Sequence, residues 1–191
     1  MKVVAFNGSA RAGGNTAVLL RRVLGVLEEQ GIETELVELA GKRVQGCTVC
    51  LKCAEANDGR CHGRSDFGNE CIERMLEADG IIIGSPVYFA DVTPETKALI
   101  DRAGYASRKG ENRLARKVGA AVVSARRAGA IHAFDTINHF FLISEMNVPG
   151  SSYWNLGYGG APGEVESDEE ALRTMDTLGR NMAWLLERTR G

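Results

Sequence analysis

Basic tracts, long apolar runs and histidines are all scarce in this chain of 191 residues. The 23 Lys and Arg nearly balance 25 Asp and Glu, for a net charge of −2, and Lys42–Arg43 and Arg126–Arg127 are isolated pairs. No nucleic-acid or other polyanionic partner is therefore expected. No transmembrane run, signal peptide or lipidation motif is visible, so no membrane association is expected and a cytoplasmic location is. The sequence has neither G-x-G-x-x-G nor G-x-x-x-x-G-K-[ST], which disfavours a dinucleotide-type Rossmann site and a Walker-type phosphate loop. The 3 histidines form no H-E-x-x-H and no Ser-His-Asp order, and no paired carboxylates fall in a candidate cleft. No side chain is thus expected to act as an acid–base catalyst. His62 reads as a solvated loop residue, and His139, four residues after Asp135, as half of a surface pair.

What is present is an alternation of strands and helices. The apolar run Val3–Phe6 is a buried parallel strand, followed by the turn GSARAGGNT and a helix with Val18, Leu19, Val23, Val26 and Leu27 on one face. Gly31 is the expected helix stop. ETELVEL, residues 33–39, alternates like a half-exposed strand. A helix is expected over 66–78, then the strand Gly80–Gly84. Thr93 and Pro94 read as cap and first residue of a helix to about Tyr105. KVGAAVVSA is a fourth strand, Ile131–Met146 a fourth helix and Ser151–Trp154 a short fifth strand. After the glycine-rich GYGGAPGEVE, Ser167 to Glu170 reads as a capping box opening the last helix. With no repeat and no linker, residues 1–191 are expected to form one α/β domain, a doubly wound five-stranded parallel sheet. Its ligand crevice is expected at the carboxyl ends of the strands.

The 44% apolar content suffices for a core without disulfide support. Yet four cysteines crowd one segment, Cys47, Cys50, Cys53 and Cys61, spaced C-x2-C-x2-C-x7-C. They lie in a long loop, residues 41–64, of a length that calls for a functional reason. Four thiolates suit an iron–sulfur cluster or a tetrahedral zinc; unligated thiols and a redox disulfide are the other readings. The bunching of three ligands fits zinc's usual two-plus-two arrangement poorly. Cys71 falls in a helical apolar pattern and reads as core.

Three strand ends carry ligand-binding chemistry. In the first, Ser9, Arg11, Asn15 and Thr16 together with free helix-terminus N–H groups suit a phosphate. In the second, Pro86, Val87, Tyr88 and Phe89 offer a rigid apolar wall for a flat heteroaromatic ring. In the third, Ser124, Ala125 and Arg126 suit the ring's carbonyl edge and supply a cation.

With these pieces assembled, the chain resembles the NADPH-dependent FMN reductase-like group of flavodoxin-fold flavoproteins. The matching segments are FNGSARAGGNT, IIIGSPVYFADVTPETKALIDRAG and GAPGEVESDEEALRTMDTLGRNMA, spread over essentially the whole chain. The cysteine loop looks like that of the iron-sulfur flavoprotein branch. Ser65-Asp66-Phe67 stands where relatives often carry an acidic pair, and Arg126–Ala130 replaces a more glycine-rich loop. The resemblance implies non-covalent FMN, one [4Fe–4S] cluster, a homodimer or homotetramer, and electron transfer. It places Ser9, Arg11, Asn15 and Thr16 around the FMN phosphate and residues 86–89 along the isoalloxazine. The expected function is an FMN-dependent electron-transfer flavoprotein or oxidoreductase working with a small redox protein or small-molecule donor and acceptor. Two alternatives remain at this point: an NAD(P)H-dependent FMN or quinone reductase without a cluster, and an FMN-binding redox-sensing module.

Overall fold

Val3, Val4, Ala5 and Phe6 are wholly buried in β1 (Lys2–Asn7), because both faces of this central strand are covered. The computed structural model describes residues 1–189. β1 pairs in parallel with β2 (Glu33–Glu38) on one side, Val3 opposite Thr34, and with β3 (Gly80–Pro86) on the other, Val3 opposite Gly80. β4 (Val118–Ala125) and β5 (Leu156–Tyr158) extend the sheet, giving the order β2-β1-β3-β4-β5 with every pair parallel. This is the expected doubly wound sheet. The apolar runs of β1, β3 and β4 are buried throughout, whereas edge strand β2 buries only Val37, which accounts for its alternating sequence.

Parallel strands need crossovers, and helices supply them. α1 (Asn15–Glu29) and α6 (Glu169–Thr189) pack on one face, where Leu19, Leu20, Val23, Met175 and Met182 meet Val3, Ala5 and Ile82. α3 (Phe67–Glu77), α4 (Pro94–Ser107) and α5 (Ala130–Ile143) cover the other face, where Ile72, Met75, Leu99 and Phe141 meet Val4, Phe6, Ile81 and Ile83. Each of these fully buried aliphatic or aromatic side chains contributes about 1.5–3 kcal/mol. The chain leaves β1 toward one face and β3 toward the other, so a crevice opens between their carboxyl ends. Among the described residues, no helix is long and apolar enough to cross a membrane.

The caps are mostly as read from the sequence. Thr93 Oγ1 accepts from Thr96 N and donates to Gly8 O at 2.7 Å, so it joins the start of α4 to the turn after β1. Gly31 follows α1 with φ of 73°. Four expectations are corrected. The fifth strand is Leu156–Tyr158 rather than Ser151–Trp154. Ser151 Oγ bonds Asn155 Oδ1 at 2.5 Å, while Asn155 Nδ2 donates to Ala121 O; together they fold residues 151–154 into a turn and delay the pairing. α6 is capped by Asp168, whose Oδ1 accepts from Ala171 N at 3.0 Å, because Ser167 is committed to a 3-10 turn by its bond to Glu164 O. The cysteine loop is also not wholly irregular: it contains the short helix α2 (Lys52–Ala56). His139 makes no ion pair with Asp135 among the described residues; His132 instead lies 3.7 Å from Asp91.

Candidate functional site

A cleft with about 610 Å³ of empty space, part of it open to solvent, lies at the carboxyl ends of the strands. Ser9, Arg11, Asn15 and Thr16 line it from the β1–α1 turn, Pro86, Val87 and Tyr88 from the end of β3, and Ser124, Ala125 and Arg126 from the end of β4. Ten of the eleven residues singled out for a cofactor thus meet in one cavity. α1 begins at Gly14 with no side-chain cap, so N–H groups of its first turn remain for a ligand at the cleft wall. The turn itself is held from beneath. Glu38 Oε2 accepts from Asn7 Nδ2 at 2.6 Å, Asn7 Oδ1 accepts from Ser9 N, and Ser9 Oγ accepts from Arg11 N at 3.0 Å. Thr16 and Ser124 join their hydroxyls at 2.8 Å across the cleft floor.

Asn15 lines the cleft and also ties two distant segments together. Its Nδ2 donates to both Gly159 O and Ala161 O at 2.9 Å. It therefore fastens the glycine-rich loop that forms the fourth wall, where Gly159, Gly160 and Pro162 also line the cleft. Those three residues were missed as site residues, although GYGGAPG after a short strand was the available signal. Glu164 shapes the same loop: its carboxylate accepts from Gly160 N and Ala161 N at 2.7 Å, and these N–H groups, Ala161 first, hold it below the usual carboxylate range.

Phe89 is the residue that the cleft does not include. Tyr88 and Asp91 exchange backbone bonds of 2.7 and 3.0 Å, which leaves Phe89 and Ala90 at the tip of a tight hairpin with φ of 46° and 67°. The turn carries Phe89 out to full exposure while Tyr88 stays on the cleft wall. Left-handed backbone at two residues with side chains costs roughly 1–2 kcal/mol each.

The cysteines line a second cavity. Cys47, Cys50, Cys53 and Cys61 share about 330 Å³ of empty space with Thr48, Gly63, Arg64 and, from α4, Arg102 and Tyr105. The backbone is left-handed at Val49 (φ 53°) and Leu51 (φ 64°), on either side of Cys50. A side chain at Gly63 would put its Cβ 2.4 Å from Cys50 Sγ, so glycine there leaves that sulfur its present place. Val49 N donates to Cys47 Sγ at 3.4 Å. The Lys52 N–H chiefly, with the Thr48 hydroxyl, holds the Cys50 thiol below its ordinary value, while burial pushes the Cys53 thiol up. Cys71 lies apart in the core, its thiol pushed by burial up to about 12.

Two findings qualify the cysteine cavity. Among the described residues, no three Cys, His, Asp or Glu side chains stand close enough to hold a metal ion as they are. The donor set, four thiols lining one cavity, suits a thiolate-bound cluster, which would need them closer together than they stand. The cysteine cavity also lies apart from the strand-end cleft. It lies against Arg102, Tyr105 and Ala106 of α4, whereas the cleft borders the Thr93 end of that helix, and no residue lines both. Counted along the helix, its Thr93 cap, which is bonded to Gly8 O of the turn after β1, stands roughly 14–18 Å from Arg102 and Tyr105. The two lie apart because α4 runs away from the cleft and the cysteine loop packs along it.

The β2-β1-β3-β4-β5 sheet with its cleft at the strand ends defines a flavodoxin-like α/β protein, a fold shared with several solved structures. A crystal structure of RosB matches with a TM-score of 0.78 and 22% identity, covering 98% of this chain and 79% of that one. A flavodoxin from the domain Archaea matches with a TM-score of 0.62 and 16% identity, covering 98% and 99%. At these identities the likeness is one of fold. The sequence comparisons go further. Residues 1–161 match the NADPH-dependent FMN reductase family. An iron-sulfur flavoprotein of Methanocaldococcus jannaschii is 40% identical over 195 aligned residues, covering 96% of each chain. The chain therefore belongs to the NADPH-dependent FMN reductase family, in its iron-sulfur flavoprotein branch, and is a flavin-dependent oxidoreductase.

Proposed function

We propose that this chain passes electrons between FMN held in the strand-end cleft and a [4Fe–4S] cluster held by Cys47, Cys50, Cys53 and Cys61. The observation that carries the reading is that four cysteines, brought together by a loop with left-handed turns and a glycine at the point of sulfur approach, line one cavity in a flavin enzyme. FMN, when bound, accepts two electrons and can return them one at a time, and a cluster handles single electrons. The protein's part is to bind and orient. The Ser9, Thr16 and Ser124 hydroxyls, the Arg11 cation and the first N–H groups of α1 suit the phosphate. Pro86, Val87 and Tyr88 give the ring an apolar wall, and Ala125 and Arg126 sit where its polar edge would lie, with the Arg126 cation favouring an anionic reduced ring.

The offset between the two cavities along α4 supports transfer across a subunit contact. Tyr88, Phe89 and Trp154 are large and exposed, Trp154 packed edge-on against Tyr153 at 4.6 Å, and a homodimer or homotetramer would cover them. Sedimentation at micromolar concentration tests this; an FMN-loaded monomer would refute it. NAD(P)H or a small redox protein is the proposed source or sink of electrons.

The separation of the thiols favours one other reading, an NAD(P)H-dependent FMN or quinone reductase without a cluster. The test is anaerobic reconstitution with iron, sulfide and flavin measured per chain. The proposal expects one FMN and one cluster per chain, with single Cys→Ala changes at the four positions losing the cluster and keeping FMN. Flavin without iron or sulfide, with rapid bleaching by NADPH, would give the reductase reading its place.

A further inference from the structure

Arg102 is wholly buried on α4, one of the largest side chains in the protein to be so, and it lines the cysteine cavity. It forms an ion pair with Asp66, whose side chain is 3% exposed. Its Nη1 donates to Gln45 O at 3.2 Å and also to Asp66, and its Nη2 donates to Asn69 Oδ1. The neighbours close the ring. Asp66 Oδ2 accepts from Gln45 N at 2.9 Å, and Asn69 Nδ2 donates to Arg64 O at 2.8 Å. Gln45 precedes Cys47 and Arg64 follows Cys61, so one end of the cysteine loop meets the guanidinium directly and the other is tied to it through Asn69.

The site is built for that cation. A Cβ at position 68 would lie 2.5 Å from Arg102 Nη1, so Gly68 is the space the guanidinium occupies. Of its five N–H donors, the one on Arg102 Nε is buried and has no hydrogen-bond partner among the described residues. Burial works against the charge, yet Asp66 and the nearby Cys61 hold the Arg102 pKa above its ordinary value. A buried ion pair is weak support for stability, since well-packed apolar residues serve as well. Its presence beside four thiols calls for another reason. A thiolate-bound cluster carries net negative charge, and nearby charge and hydrogen bonds to its sulfurs set its potential.

We propose that Arg102 is a positioning residue of the cysteine cavity: it clamps both ends of the loop and supplies a buried cation that favours the reduced state of the cluster held there. Reduction adds one electron and breaks no bond in the protein, so the cation acts by charge alone. Asp66, the residue found where relatives often carry an acidic pair, then has two tasks: it caps α3 and moderates the charge of Arg102.

The inference rests on the cluster reading, and the experiment separates the two. Anaerobically reconstituted wild type, Arg102→Met, Arg102→Lys and Asp66→Asn are titrated with dithionite, following the reduced cluster by electron paramagnetic resonance, with iron, sulfide and FMN affinity measured in parallel. At a fixed poise, Arg102→Met is expected to lower the reduced-to-oxidised ratio about tenfold, equivalent to about 59 mV for one electron. Asp66→Asn is expected to move the ratio the opposite way, and Arg102→Lys to stay near wild type, with FMN affinity unchanged in all. A purely structural role would alter cluster content without shifts of opposite sign. If Arg102→Met loses its cluster, the upward shift of Asp66→Asn still decides; an unmoved or downward shift there overturns the inference. A wild type that binds no iron or sulfide overturns the cluster reading and this inference with it. Loaded proteins of equal potential overturn this inference alone.

Discussion

Replacing Asn15 by alanine separates a residue that touches the flavin phosphate from one that holds a wall of its cleft. The asparagine makes two bonds at 2.9 Å, to Gly159 O and Ala161 O, across more than a hundred residues of chain. Each is a neutral bond with a net contribution of about 0.5–1.5 kcal/mol, so alanine should loosen the loop by about 1–3 kcal/mol. If the loop must be ordered to bind FMN, the whole amount appears in the dissociation constant, a rise of about 5- to 150-fold. Flavin fluorescence quenching measures the affinity, and hydrogen exchange over residues 159–165 reports on the loop. Asn15→Asp should be worse than alanine, because a carboxylate only accepts and would face two carbonyl oxygens and the phosphate. Wild-type affinity and wild-type protection of the loop in Asn15→Ala would refute the reasoning. Weakened affinity with a fully protected loop would return Asn15 to the phosphate.

Thr93→Ala removes an N-cap and a bond to Gly8 O in a fully buried position, and should cost about 1–2 kcal/mol. At this chain length that is a fall in Tm of about 2–8 °C by calorimetry; an unchanged Tm would argue against the cap's role. In metal-free protein at pH 8, iodoacetamide should modify exposed Cys50 readily and Cys71 only after unfolding, since burial pushes the Cys71 thiol to about 12. Mass mapping of the alkylated peptides checks the order, and early modification of Cys71 would contradict its core position. For Asp66, burial raises the carboxyl pKa, but Arg102 and the Gln45 and Gly68 N–H groups together hold it below the ordinary value. A depressed folded value stabilises the protein above the unfolded value of about 3.9 and is lost as pH falls through the folded one. Urea unfolding between pH 6 and pH 2 should therefore show an acid-side loss of stability that Asp66→Asn makes smaller, the remainder coming from other depressed carboxyls such as Glu35 and Asp176; a pH profile unchanged by Asp66→Asn would contradict the assignment.

The parallel sheet was legible because buried strands leave an unambiguous mark: Val3–Phe6, Ile81–Ile83 and Val118–Val123 are continuous apolar runs. Thr93-Pro94 marked the start of α4 for an equally local reason, the pairing of a cap with a residue that needs no N–H donor. The strand-end cleft was legible through topology, since loops after neighbouring parallel strands must meet at one end of the sheet. Ser151–Trp154 misled because its apolar pair satisfies a strand pattern locally. Only the distant bond from Asn155 to Ala121 decides that the pairing begins later.

By itself the sequence determined the order of elements, the helix stops and the two chemistries, phosphate-and-ring loops and clustered thiols, since these depend on backbone preference and residue type within a few positions. Tertiary structure decided where those chemistries sit. It turned Phe89 outward on a hairpin tip, made Asn15 a clasp for a loop near the other end of the chain, and set the cysteine cavity along α4 instead of beside the cleft. It also put Arg102, an unremarked member of a helical pattern, at the junction of both ends of the cysteine loop. Burial, pairing and distance between remote segments belong to the packed molecule, because the contacts that create them join residues with no local signal of each other.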